Sequence, residues 1–359
     1  MIKIDGSYGE GGGQILRTAL SLSAILNKPF EMYNIRKGRK KPGLLAQHLT
    51  GVNATQKITD AKVSGNNFGS LSLIFEPKTI SGGEYEFNVA EERGSAGAVT
   101  LVTQTILPIL FFADKASKVT IKGGTHVPFS PPFDYLKEIL LPLLAKLGFE
   151  AKAELKGYGF YPVGEGEVTL EIKSQNSKVK IQREPFAIKE RGELKELKSV
   201  SSVANLPLSI AERQNNHLTA KFKIQNSGLE IKSTCETVKA SCSGTHLFLT
   251  ADFQNIRAGF SSLGARGKPA EKVADEVFDE FSNYFSQKGA LDPHLADQIL
   301  IFLALAQQSC ASRRAQPTPS ISFTTTKITD HLLTNIWVIN QFLPELKITV
   351  NENLITVER

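Results

Sequence analysis

Four glycines occupy the five positions from Gly9 in the run Ile4-Asp5-Gly6-Ser7-Tyr8-Gly9-Glu10-Gly11-Gly12-Gly13-Gln14, between a strand-like and a helix-like segment. Backbone lacking Cβ atoms lets N–H groups approach an anion, and a following helix adds its dipole. No Gly-Lys-Ser/Thr follows, so this is not a P-loop, and the Rossmann spacing with its acidic partner is missing. A tight turn would account for the glycines alone but not for Glu10. A carboxylate there makes sense if it holds a divalent cation that phosphates also bind. Arg17, in the first turn of the helix, shares a face with Gln14 and Ser21 and points back toward the loop. Farther on, residues 36–41 read Arg-Lys-Gly-Arg-Lys-Lys, with His48 beyond them. The guanidinium groups of Arg36 and Arg39 suit two-bond grips on phosphate oxygens, whereas a solvated basic loop is the competing explanation.

Among six histidines, His331 has the most unusual setting. It follows Thr329 and Asp330, good N-cap residues, at the head of an apolar helical segment. The positive end of such a helix favours a neutral, nucleophilic imidazole and attracts an incoming phosphate. That combination is suited to a covalent phosphoramidate; a hydrogen-bonded structural histidine is the plainer alternative. Asp297 and Gln298 open an earlier helix, preceded by His294, where capping alone would suffice. Gln104 sets an amide in an otherwise apolar helix, so it needs a partner: a base, a ribose or a neighbouring backbone.

The elements that must position these residues recur three times in one order: helix, strand, turn, second helix, strand pair. The first copy has helices at 14–26 and 44–58 and strands at 30–35, 61–64 and 71–75. The second has helices at 98–113 and 133–147 and strands at 118–122, 151–155 and 167–172. The third has helices at 295–308 and 330–343, a strand at 320–325 and a terminal hairpin at 346–350 and 354–357. Residues 184–287 break the pattern, at a length that suits a small inserted domain ending in a helix at 269–287. The expected fold is α/β (α+β). Three repeated βα units form a pseudo-threefold large domain, 1–183 and 288–359, with a small inserted α+β domain at 184–287.

At 359 residues with 41% apolar and 22% charged residues, the chain can bury two cores. The longest apolar run, 98–113, is interrupted by Thr100, Thr103, Gln104, Thr105 and Pro108, which argues for a buried helix over a membrane span. The N-terminus starts in a strand-like run without a basic-then-apolar signal segment. Cys235, Cys242 and Cys310 lack metal-ligand spacing, and a reducing cytoplasm fits them best. A net charge of +6 does not by itself imply nucleic acid.

Several motifs together resemble the RNA 3′-terminal phosphate cyclase family. They are Asp5-Gly-x-x-Gly-Glu-Gly-Gly-Gly-Gln-Ile-Leu-Arg17, Ile35-Arg-x-Gly-Arg-x-Lys-Pro-Gly-Leu-Leu-x-Gln-His48 and Gly94-Ser-Ala-Gly-x-x-Thr-Leu-Val-x-Gln-Thr105. Gly123-Gly-Thr, Pro131-Pro, Gly264-Ala-Arg-Gly-Lys-Pro269, Leu295-Ala-Asp-Gln298 and His331-Leu-Leu-Thr-Asn335 continue the match in order. The resemblance implies an enolpyruvate transferase/RNA cyclase-like fold, and a ligase that uses ATP and a divalent cation (Mg2+ or Mn2+) on RNA with a 3′-terminal phosphate. It implies that His331 takes AMP from ATP, passes it to the RNA phosphate, and that the vicinal 2′-hydroxyl then closes a 2′,3′-cyclic phosphodiester. Carried over position by position, Gln104, His294, Leu295, Ala296, Asp297 and Gln298 match ATP-binding residues, and Pro131 one beside the adenine. Glu10 matches a carboxylate near metal and triphosphate. Arg17, Arg36, Arg39, Gln47 and His48 match phosphate-site residues.

Two departures stand out. The signature loop reads Tyr158-Gly-Phe-Tyr-Pro-Val-Gly-Glu-Gly166, with Tyr158 in place of a basic residue and Glu165 in place of the middle glycine, and His294 stands where some members carry Tyr. Three alternatives compete. A non-catalytic cyclase-like factor in ribosomal RNA processing lacks the nucleophilic histidine, an enolpyruvyl transferase needs about twice as many repeats, and a plain RNA-binding module needs stacking platforms not evident here. A homo-oligomer is left open, and no membrane partner is expected.

Overall fold

The computed structural model describes residues 1–89, 96–174, 186–225, 230–311 and 320–359. Gly94, Ser95, the expected boundary at 183/184 and the Cys310 side chain lie outside them. Three four-stranded sheets share one strand order and pairing sense. In the first, β1 (Ile2–Asp5) runs parallel to β2 (Phe30–Tyr33), which pairs antiparallel with β4 (Leu73–Glu76), itself antiparallel to β3 (Lys62–Ser64). The second repeats this with β5 (Glu84–Asn88), β6 (Ser117–Gly123), β8 (Gly166–Ile172) and β7 (Ala151–Gly157). The third uses β9 (Ala187–Ile188), β14 (Ile321–Thr324), β16 (Leu354–Glu358) and β15 (Lys347–Asn351). In the first two the parallel pair is joined through a single helix, and in the third through a fourth sheet with its helices and then a helix of the same kind.

These crossover helices are α1 (Gly13–Leu26), α3 (Val99–Phe111) and α8 (Pro293–Ala311). The second helices are α2 (Ala46–Thr59), α9 (Asp330–Phe342) and, in the second unit, α4 (Phe133–Tyr135) continued by a π-helical turn (Leu136–Leu140) into α5 (Leu141–Lys146). α1 packs on α3 and α9, and α8 packs on α3 and α9. α1 is buried almost all round, so its polar side chains bond inward: Ser21 Oγ donates to the Thr105 carbonyl of α3 at 2.8 Å.

The fourth sheet has another order, β11 (Ile231–Thr237), β10 (Leu194–Ala204), β12 (Gly244–Phe253), β13 (Arg257–Leu263), covered by α6 (Leu208–Gln225) and α7 (Ala270–Ser286). The expected α/β class and the terminal hairpin agree with this architecture. One strand was not foreseen: Ala187 and Ile188, placed in the insert by sequence pattern, pair with Ser322 and Phe323 in the third sheet. Two residues are too short to show periodicity, and only the long-range pairing reveals them.

Candidate active site

The head of α9 meets the head of α1 across the glycine loop. Thr329 caps α9, its side chain accepting from the Leu332 N–H at 3.1 Å, so His331 lies in the helix's first turn. The loop is pinned to the same helix, because the Glu10 N–H donates to Thr334 Oγ1 at 3.3 Å. Gly9 has φ +54°, and a Cβ on it would stand 2.5 Å from Thr334 Oγ1, so glycine is what allows this approach.

Four side chains form a connected polar chain behind His331. Thr18 Oγ1 donates to Asn335 Oδ1 at 2.6 Å, and Asn335 Nδ2 donates to the Asp297 carbonyl at 3.0 Å and to its Oδ1 at 2.9 Å. Gln14 Nε2 donates to the same Oδ1 and, at 3.2 Å, to the His331 carbonyl. Both of those partners are acceptors, which orients the Gln14 amide and leaves Oε1 facing His331 Nδ1, to which it is bonded. An amide oxygen only accepts, so Nδ1 carries the proton of this bond, and Nε2 is the ring nitrogen turned toward Glu10. Burial pushes the Asp297 carboxyl up, while His331 and Arg17 pull it back. Two N–H donors converging on Oδ1 suit its ionised form.

His331 Nε2 faces Glu10 Oε2 at 2.6 Å, and Asp297 Oδ2 lies 3.9 Å from Nδ1. Glu10 Oε1 pairs with Arg39, which also donates to the Glu10 carbonyl at 2.9 Å. Glu10 Oε2 is buried and accepts no hydrogen bond among the described residues. At 2.6 Å nothing fits between the two atoms, so a nucleophilic Nε2 requires this contact to open and free the Glu10 carboxylate. A hard oxygen donor of this kind fits Mg2+ or Mn2+.

Arg17 lies beside both carboxylates, its positive charge favoured by Asp297 and Glu10 and opposed by burial. Its guanidinium makes no hydrogen bond to the described residues. His48 caps α2 from inside: its Nδ1 accepts from the Leu45 N–H at 3.0 Å. The ring is therefore an Nε2–H donor, and burial together with Arg36 and Arg17 pushes its pKa down to about 3. A Cβ on Gly13 would stand 2.3 Å from that Nε2, so the glycine lets a neutral donor reach the start of α1.

The remaining expected residues divide. Gln104 Nε2 donates to Gln298 Oε1 at 2.9 Å, bridging α3 and α8. A cavity between the helices is lined by Gln14, Arg17, Gln104, Asp297, Gln298 and Asn335, among others. Thr100 Oγ1 holds the Pro131 carbonyl at 2.8 Å, and His294 is exposed, edge-on to Tyr135. Leu295 and Ala296 are fully buried, so their side chains are core and only their backbone can serve a ligand. Gln47 is half-buried. Arg36 turns away from Glu10: its Nη1 donates to the Lys41 and Gly43 carbonyls at 2.7 and 2.9 Å, bracing the basic turn.

Sequence reasoning missed the supports. Asn335, Thr18 and Thr334 are ordinary polar residues whose spacing carries no signal by itself. Asp292 was also missed; it accepts from the His294 and Leu295 N–H groups at 3.0 Å each and from the Tyr135 hydroxyl at 2.7 Å. Asp followed by Pro293 at the first helical position was the available cue.

Comparisons with known proteins show the family. The family model described as RNA 3′-terminal phosphate cyclase matches residues 8–350. An RNA 3′-terminal phosphate cyclase of Methylococcus capsulatus is 43% identical over 345 residues, covering 95% of this chain and 91% of the relative. The protein of the same name from Gloeothece citriformis is 41% identical, covering 100% of this chain and 98% of its own length. That from Nostoc punctiforme is 39% identical over 362 residues, with 100% and 99% covered. The chain belongs to the RNA 3′-terminal phosphate cyclase family.

Proposed function

We propose that this chain uses ATP to convert an RNA 3′-terminal phosphate into a 2′,3′-cyclic phosphodiester, through adenylation of His331. The observation that carries the reading is the Gln14–His331 contact. It assigns the proton to Nδ1, so that Nε2, at the positive end of α9 and beside the glycine loop, is the nitrogen that attacks once it parts from Glu10. In this reading Nε2 attacks the α-phosphorus of ATP, a P–N bond forms, and pyrophosphate leaves. As the bond forms, positive charge grows on the imidazole, and the Nδ1–H bond to Gln14 Oε1 strengthens with it. Gln104, Gln298, His294, Pro131 and the backbone of Leu295 and Ala296 border the nucleoside end. Glu10 and Asp297 are the carboxylates that would hold a divalent cation, which neutralises phosphate charge when bound.

An oxygen of the RNA 3′-phosphate next attacks the adenylyl phosphorus, and the P–N bond breaks, returning neutral His331. In this reading Arg17, Arg39, Gln47 and the His48 Nε2–H grip this terminal phosphate, with Arg36 bracing the turn that carries Arg39. A phosphate monoester dianion repels nucleophiles and has no good leaving group; adenylation supplies one. The vicinal O2′ then attacks, its proton leaves, the cyclic diester forms and AMP departs. The intramolecular attack benefits from an effective molarity of up to ~10⁵–10⁸ M in well-oriented systems. Residues 1–183 and 288–359 are read as the catalytic body and 184–287 as an insert, in a cytoplasmic protein.

The test is an RNA oligonucleotide carrying a 3′-phosphate, incubated with the protein, ATP and Mg2+. The terminal phosphate should become resistant to phosphatase, with one AMP released per end closed. An end that stays phosphatase-sensitive while ATP is unconsumed overturns the reading.

A further inference from the structure

Away from the glycine loop, three metal-ligating side chains converge where β12 approaches the second unit. His126 follows β6, Asp134 lies in α4 and His246 in β12, and one donor atom from each lies within 4.8 Å of the others. Both histidines are 1% exposed. The rings pack at 4.5 Å between centroids, with Tyr158 stacked on the outer face of His126 at 4.9 Å. His126 Nε2 stands 2.7 Å from Asp134 Oδ2, and its Nδ1 stands 2.8 Å from Thr125 Oγ1.

A hydrogen-bonded histidine–aspartate pair would account for His126 and Asp134, but it leaves His246 unexplained. His246 Nε2 is buried and has no hydrogen-bond partner among the described residues. An unmade bond at a buried polar atom costs roughly 1–3 kcal/mol. Burial pushes the His246 pKa down to about 3, so the ring is neutral and carries a lone pair on one nitrogen. The carboxyl of Asp134 is held well below its ordinary range by its bond to His126. Two buried imidazoles and a carboxylate converging on one point are a donor set for an ion that accepts nitrogen ligands.

We propose that His126, Asp134 and His246 bind one divalent transition-metal ion of the zinc type, clasping β12 to the segment between β6 and α4. Binding needs no redox partner. His126 shifts its proton to Nδ1, which donates to Thr125 Oγ1, and Nε2 becomes a ligand. Thr125 Oγ1 is itself fixed by accepting the Gly159 N–H at 2.9 Å, the kind of outer contact that orients a ligating imidazole. Bonds of ~2.0 Å in a tetrahedral site set ligands about 3.3 Å apart. The group must therefore tighten at its widest edge, and partly exposed Asp134 is the member with room to move. Its open side leaves a fourth position for water. Nitrogen donors distinguish this site from the all-oxygen demand of Mg2+.

The probe is Co2+, titrated into the chelator-treated full chain in excess Mg2+ and followed by visible absorption, with Zn2+ as competitor. Wild type should bind one equivalent with the absorption of a tetrahedral nitrogen–oxygen site, and Zn2+ should displace it and raise Tm. His246→Gln and Asp134→Asn should each weaken Co2+ binding at least tenfold, whereas His331→Ala should still bind one equivalent. Should His246→Gln not fold, Asp134→Asn carries the comparison. The proposal is overturned if the folded wild type takes up no Co2+ at micromolar concentration. It is equally overturned if the bound equivalent survives both cluster substitutions or disappears in His331→Ala.

Discussion

Replacing Gln14 by methionine probes the tautomer argument without emptying the space the side chain fills. Gln14 is 5% exposed, so methionine keeps its apolar contacts while removing the Oε1 acceptor and both Nε2 donations. Asp297 keeps the two Asn335 bonds, and Asn335 keeps Thr18, so the supporting chain stays assembled. His331, with a side chain 47% exposed, loses the acceptor on Nδ1 and keeps the Nε2 contact with Glu10. A hydrogen bond to a group that gains charge is worth about 1.5–3 kcal/mol. At 1.36 kcal/mol per tenfold, adenylation should slow by about 10- to 150-fold. The assay is single-turnover transfer of radiolabelled AMP from ATP to protein, with circular dichroism and Tm verifying the fold. A folded Gln14→Met protein that adenylates within twofold of wild type refutes the assignment of Nε2 as the orientated nucleophile.

Gly13→Ala drives a methyl into the His48 ring, 2.3 Å from Nε2, and should cost about 1–3 kcal/mol in urea unfolding; an unchanged midpoint contradicts the packing. Arg39→Ala removes a phosphate grip and frees Glu10, so the KM for 3′-phosphate RNA should rise well above any change in the KM for ATP. Equal changes in both would place Arg39 elsewhere in the reaction. His48 titrates near its ordinary 6.5 when unfolded but at about 3 when folded, so the unfolded chain binds the extra proton between those values. Its contribution is therefore complete above pH 6.5 and lost as pH falls toward 3, by up to ~1.4 kcal/mol per pH unit. His48→Gln should flatten unfolding free energy against pH in that window; an unaltered slope refutes the buried neutral ring.

The recurrence of helix, strand, helix and strand pair was legible because amphipathic periods and turn residues are local signals. The identical strand order of three sheets was not, since pairing depends on contacts far apart in sequence, as β9 with β14 shows. Glu10, His331, Asp297 and Arg39 could be suspected from residue type beside glycines and helix starts. Their assembly depends on Gln14 and Asn335, whose amides look like any others until α1, α8 and α9 converge. Arg36 shows what residue type alone does not reveal: its backbone sits at φ +51° and its side chain braces the turn that carries Arg39. The His126–Asp134–His246 group escaped notice because its members come from a loop, a helix and a distant strand and share no spacing.

Covalent attachment of AMP to the imidazole at the head of α9 is the step on which the proposed reaction depends. Intact-mass measurement of the purified chain after incubation with ATP and Mg2+, followed by peptide mapping, tests it most directly. The expected result is a gain of one AMP, acid-labile and located on His331, absent in a folded His331→Ala variant. A folded wild-type protein that turns over 3′-phosphate RNA without ever carrying AMP, or that carries it on another residue, contradicts the account.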